Sequence, residues 1–178
     1  MLLQPGTRRW PLAIDPDDVI VAGDSAGGGL AFAVLSFLIL SGQTPAAAVA
    51  LSPWVDLTLG GESLADLAEA FLPVDRTAEV AGLYLDGADP SDPRAAPLFA
   101  RFVAPPPVLI QFGSTEARRD DALRMATCLT DAGGQVTVQP RPKVPHLWHM
   151  LGGWVPEAGA AMRDVAAFVQ TSFARPSR

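Results

Sequence analysis

Residues 19–24, VIVAGD, run directly into residues 25–40, SAGGGLAFAVLSFLIL, and no other stretch restricts the fold as tightly. The first segment is β-branched and apolar without polar alternation, the pattern of a strand buried on both faces, as in a parallel sheet. From Ala26 to about Leu40 the pattern turns helical, and Ser41-Gly42 is a common helix stop. The same order of strand then helix recurs along the chain. AAAVALSPW (46–54), PVLIQFGSTE (107–116) and QVTVQPRP (135–142) read as further strands. SLADLAEAFL (63–72), DRTAEVAGLYL (75–85), RRDDALRMATCLTDAG (118–133) and AGAAMRDVAAFVQTSFA (158–174) read as helices. Strands alternating with helices predict an α/β architecture, a mainly parallel sheet of about four strands with helices on both faces. Residues 1–15 have no period, with Pro5, Gly6 and Pro11 as breakers, and read as an irregular lead-in. A Pro- and Asp-rich stretch near residues 86–107 reads as an ordered loop.

Length and composition narrow the function classes. A chain of 178 residues with 49% hydrophobic and 18% charged residues is one globular domain, large enough for a real core. A formal charge of −6 without a basic stripe argues against nucleic acid as a partner. The longest apolar run, residues 30–40, is too short to span a bilayer, and the first sixteen residues lack the apolar core of a cleavable signal. A cytoplasmic location is the expectation. Cys128 is the single cysteine, which excludes a disulfide framework and a cysteine metal site; it reads as a small apolar packing residue.

Residues 23–27, GDSAG, match Gly-x-Ser-x-Gly. At a strand-to-helix junction this spacing belongs to a nucleophile elbow, with the serine hydroxyl raised above the sheet on a strained turn. Gly23 and Gly27 are then expected to clear space for neighbouring backbone, and Asp24 completes the turn. The helix that follows aims its N-terminus at the site, so the Ala26 N–H is the candidate donor to developing negative charge. Ser25 as nucleophile needs a base, and the base needs a carboxylate. The two histidines, His146 and His149, both follow the fourth strand, where loops of an open parallel sheet gather reactive groups. With the serine elbow upstream, His146 is the candidate base and His149 a packing or surface residue. The carboxylate is expected after the third strand, where Glu116 comes at once and Asp120 and Asp121 open the next helix. Local chemistry alone leaves Glu116 and Asp120 both open as the acid.

Taken in order, GDSAGGGLA, LSPWVDLT, PPVLIQFGSTE…DDALRMA and VPHLWHM resemble the bacterial hormone-sensitive-lipase-like carboxylesterases of the α/β-hydrolase fold. The resemblance runs from Asp15 to the last helix. It implies Ser25 as nucleophile, His146 as general base and Glu116 as triad acid, with Asp120 in reserve. GSTEARRDD fits a Gly-x-x-Glu…Asp-Asp version of the strand-end motif, with Ala117, Arg118 and Arg119 in place of its apolar turn residues. The implied activity is hydrolysis of short-chain carboxylic esters through an acyl-enzyme, with a small-molecule ester as substrate and neither metal nor cofactor.

The resemblance also implies elements that this sequence lacks before Ser25: a cap, early strands and a His-Gly-Gly-Gly loop supplying oxyanion donors. Residues 1–178 are thus expected to be a single, partial domain, the C-terminal half of an α/β-hydrolase fold. Loss of one such donor costs roughly 10²–10³ in rate, and an open VIVAGD edge invites pairing with another chain, as a homo-oligomer or with a complementing chain. The competing reading is a catalytically inactive remnant that acts by binding or assembly. A phosphate-cradling loop at GDSAGGG lacks both the Gly-x-Gly-x-x-G spacing and the Walker lysine. A metal on His146 and His149 lacks a third ligand nearby. Trp148, Met150 and Trp154 are candidates to line what remains of an acyl pocket, with apolar packing the commoner role.

Overall fold

A computed structural model describes residues 14–65 and 76–174. Among them a four-stranded sheet is built from β1 (Ile20–Asp24), β2 (Ala47–Leu51), β3 (Val108–Gly113) and β4 (Val136–Arg141). All three pairings are parallel and the strands lie in chain order. The helices are α1 (Ser25–Leu40), α2 (Thr77–Leu85), α3 (Arg119–Asp131) and α4 (Pro156–Phe173).

Chain order decides which face each helix covers. The sheet grows one strand at a time in one direction, and right-handed crossovers then carry the intervening helices over the same face. Phe32 and Leu35 of α1 accordingly meet Ala122, Met125 and Leu129 of α3 over Ala48, Ala50, Val108, Ile110 and Phe112. The helix that follows β4 has no further strand to reach and returns over the other face. There Ala158 and Ala161 of α4 pack with Val144 and Trp148, and the Ala161 carbonyl accepts a hydrogen bond from Gln111 Nε2 of β3. β2 and β3 lie inside the sheet and are almost wholly buried, which is why they read as unbroken apolar runs.

The two outer strands differ. β4 carries Pro140, which has no N–H to offer a further strand. β1 has no such block, and Ala22 and Asp24 are exposed. Beside it, α1 is apolar all round: while Phe32 and Leu35 face the core, Leu30, Val34, Phe37 and Leu40 form an exposed stripe, Phe37 at 69%.

Several expectations need correction. The strand expected over 46–54 ends at Leu51, because Ser52 turns the backbone to φ +48° and Pro53 follows. The last helix starts at Pro156, with proline in the first turn where its missing N–H costs nothing. The helix expected over 63–72 begins in a short 3-10 turn, Glu62–Ala65, and its remainder lies outside the described residues, as does most of the lead-in over 1–15. Cys128 is half-buried and packs against the core. Among the described residues, no helix is long and apolar enough to cross a membrane.

Candidate active site

Parallel pairing in chain order sets the carboxyl ends of the four strands side by side: Asp24 is in register with Leu51, Leu51 with Gln111, and Gly113 with Arg141. Ser25 directly follows β1, Ser52 follows β2, Glu116 lies three residues beyond β3 and His146 five beyond β4. Residues far apart in the sequence therefore meet at one sheet end, as the rule for open α/β sheets requires.

Ser25 opens α1 in the left-handed region, φ +47°, a conformation that is strained for any residue but glycine. Asp24 occupies the N-cap in extended geometry. The strain is held by close backbone packing. A Cβ on Gly23 would lie 2.1 Å from the Gly27 carbonyl oxygen, and one on Gly29 would lie 2.1 Å from the Trp54 carbonyl oxygen. On Gly28 it would meet Pro53 at 3.0 Å. Gly27 does not fit the expected role, since a Cβ there meets only Asp24 Oδ1 at 3.5 Å, an ordinary contact. The helix is pressed against the Pro53-Trp54 segment through Gly28 and Gly29 instead, and the Trp54 N–H donates to the Ser25 carbonyl at 2.9 Å.

Ser25, His146 and Glu116 form a continuous chain of contacts. His146 Nε2 lies 2.9 Å from Ser25 Oγ, and His146 Nδ1 lies 3.0 Å from Glu116 Oε2. Glu116 is fully buried and His146 nearly so. The second oxygen, Glu116 Oε1, accepts from the Gly113 N–H at 2.6 Å and from the Ser52 hydroxyl at 2.8 Å. The Ala26 N–H belongs to the first turn of α1, where helix N–H groups have no intrahelical acceptor. Asp120 points elsewhere: its Oδ2 accepts from the Ser63 N–H at 2.8 Å.

His149 is buried against the ring of Trp148, with ring centroids 3.7 Å apart. Its Nε2 lies 3.1 Å from Gln111 Oε1. The Gln111 amide nitrogen already donates to Gln139 Oε1 and to the Ala161 carbonyl. Gln111 Oε1 must then accept, so His149 carries its proton on Nε2. Burial, with His146 close by, lowers its pKa from 6.5 to about 4, which keeps the ring neutral. This neutral tether ties the turn carrying His146 to the middle of the sheet.

The segment after β2 is anchored by charges that the sequence reading passed over. Buried Asp121 accepts from the N–H groups of Val55 and Asp56 through Oδ2, at 3.0 and 3.1 Å. Burial raises its pKa to about 6, opposed by the nearby Arg118. Burial also acts against the Asp56 charge, but hydrogen bonds from Thr58 and Arg124 outweigh it and hold that carboxyl below its usual range. The Arg118 guanidinium, fully buried, lies 4.1 Å over the Trp54 ring. LSPWVDLT and RRDD thus clamp each other and hold Pro53 and Trp54 against the elbow. Only the paired acids of DDA hinted at this. Of the candidate pocket residues, Trp148 is buried in packing, while Met150 and Trp154 are 73% and 90% exposed; neither packs in the described structure.

The α/β-hydrolase fold family matches residues 2–150. An acetyl-hydrolase of Streptomyces hygroscopicus is 39% identical over 160 residues, which cover 88% of this chain and 54% of that protein. An esterase of Acinetobacter venetianus is 35% identical, over 87% of this chain and 52% of its own length. Among solved structures, an esterase from the bacterial hormone-sensitive lipase family superposes with a TM-score of 0.86 at 35% identity, over 89% of this chain and 55% of that one. The chain spans about half the length of the relatives it matches. With the parallel sheet and the strand-end cluster, these likenesses mean that the chain belongs to the α/β-hydrolase fold family, and within it the chain is similar to bacterial hormone-sensitive-lipase-like esterases.

Proposed function

We propose that this chain carries the catalytic centre of a serine hydrolase acting on short-chain carboxylic esters. The observation that carries the reading is the unbroken chain from Ser25 Oγ through His146 to Glu116 Oε2. In this reading His146 Nε2 takes the proton of Ser25 as Oγ attacks the ester carbonyl. Glu116 holds Nδ1–H and stabilises the imidazolium that results. The tetrahedral oxyanion is received by the Ala26 N–H and the positive end of α1. Collapse expels the alcohol, which takes the proton from His146 and leaves an acyl-Ser25. Water then attacks the acyl group by the same route in reverse order, releasing the acid. Every step is acid–base or nucleophilic chemistry of these side chains, with no call on a cofactor. The names of the relatives, acetyl-hydrolase and esterase, support the ester as substrate.

The test is p-nitrophenyl butyrate hydrolysis by the chain beside Ser25→Ala prepared identically. Removal of the nucleophile from an assembled triad costs about 10⁶ in kcat, so the variant should show only background. Equal rates in two folded preparations would overturn the reading in favour of an inactive hydrolase that acts by binding or assembly.

We further propose that the chain associates with a second copy through the edge of β1, unpaired among the described residues, and the stripe Leu30, Val34, Phe37 and Leu40. Leu30, Val34, Phe37 and Leu40 are four large apolar side chains exposed on one helix beside that edge, and the chain's relatives carry about as much chain again. Light scattering at micromolar concentration should show dimers or larger species, reduced in Val34→Lys/Phe37→Lys. A monodisperse monomer of the unaltered chain would rule this out.

A further inference from the structure

Ser52 stands out because it is costly and sits where it is useful. It is fully buried and directly follows β2, at φ +48°, a region in which only glycine is unstrained. Its backbone is held there by the Ser52 N–H donating to the Gln111 carbonyl at 2.7 Å, one step beyond the β2–β3 ladder. The turn aims the side chain inward, where its hydroxyl donates to Glu116 Oε1 at 2.8 Å. The Leu147 N–H, next along the chain from His146, points at the same hydroxyl oxygen from 3.5 Å. Leu147 is itself at φ +55°.

We infer that Ser52 is a positioning residue, whose hydroxyl fixes the carboxylate of Glu116 so that Oε2, and only Oε2, faces His146. The inference rests on the reading of Ser25, His146 and Glu116 given above. A carboxylate can rotate about its last side-chain bond and offer either oxygen, or both at poor angles. With two donors on Oε1, from Gly113 and Ser52, it is pinned from one side. The Gly113 N–H alone leaves rotation about that hydrogen bond; the second donor removes it. The same donor draws negative charge toward Oε1, so Oε2 holds the His146 Nδ1–H without binding it too tightly. Backbone strain tends to persist where the surrounding structure over-determines it and function uses it, and here it places one hydroxyl.

Substitution separates this role from a structural one, because the two alternatives relax the backbone differently. Ser52→Gly loses the hydroxyl but suits a positive φ; Ser52→Ala loses the hydroxyl and keeps the strain. Both should lower kcat by about tenfold, the scale of one lost hydrogen bond, with KM little changed. The acid limb of the pH–rate profile should move upward in both, as charge returns to Oε2 and favours the imidazolium. Melting temperature should divide them, with Ser52→Gly the more stable. A second readout needs no turnover: the far-downfield proton resonance of His146 Nδ1–H, recorded on the unaltered chain and on Ser52→Gly. The inference predicts that the resonance broadens or shifts in the variant. An unchanged resonance, or a folded Ser52→Gly with unaltered kcat and pH profile, would overturn it. Should the unaltered chain lack esterase activity while its resonance responds to Ser52→Gly, the functional reading fails and the positioning role stands.

Discussion

Glu116→Gln should lower kcat for p-nitrophenyl butyrate by about 10⁴-fold while leaving the protein folded. The two side chains have the same shape, so packing is preserved. Glu116 Oε1 accepts from Gly113 and Ser52. In glutamine the carbonyl oxygen must take that place, which turns the NH₂ group toward His146 Nδ1. An amide NH₂ only donates, so Nδ1 must give up its hydrogen and Nε2 must carry it. The imidazole then presents a donor to Ser25 Oγ, 2.9 Å away, and cannot accept its proton. Asp120→Asn is the control: Asp120 serves the Ser63 N–H, and the variant should keep its kcat. Steady-state kinetics with thermal unfolding on both variants decides the matter. If Asp120→Asn is the crippled one and Glu116→Gln retains activity, the acid has been misassigned.

Gly29→Ala and Gly23→Ala should each destabilise the chain by 3 kcal/mol or more, whereas Gly27→Ala should be neutral or stabilising by up to about 1 kcal/mol. At Gly29 and Gly23 the added methyl would sit 2.1 Å from a backbone carbonyl oxygen, Trp54 and Gly27 respectively. Backbone held by hydrogen bonds on both sides has little freedom to retreat; the Trp54 N–H is bonded to the Ser25 carbonyl. At Gly27 the nearest atom is 3.5 Å away, and alanine is the better helix former. For a chain of this size, 3 kcal/mol corresponds to roughly 6–12 °C in Tm. Circular dichroism melts of the three variants measure it. Similar melting temperatures for Gly29→Ala and Gly27→Ala would mean that α1 is not pressed against the Trp54 segment.

How much of this was legible beforehand follows from the range of each interaction. The four strands and their carboxyl-end loops could be read because burial on both faces writes an unbroken apolar run into the sequence. Ser25 stood out because a strand, a tight turn and a helix leave their marks on adjacent residues. Glu116 was separable from Asp120 by resemblance but not by local chemistry, since both carboxylates follow the same strand. The motif assigns Gly27 a role that belongs to Gly28 and Gly29, because it records spacing and not what lies across from each glycine.

The residues that support the cluster were out of reach for a different reason. Ser52, Trp54, Asp56, Arg118 and Asp121 act across separations of more than fifty residues, and a hydrogen bond between such partners imposes no period on either segment. His149 is similar: the sequence reads it as a packing or surface residue, and only Gln111, committed to Gln139 and Ala161, turns it into a neutral tether. By itself, then, the sequence determined the strand–helix order, the elbow at Ser25 and the loops bearing His146 and Glu116, because periodicity and turn chemistry act between near neighbours. The tertiary structure alone decided which oxygen of Glu116 faces His146, which glycines are crowded, and which surface of α1 is left open. Those are matters of distance between segments that only parallel pairing in chain order brings to the same end of the sheet.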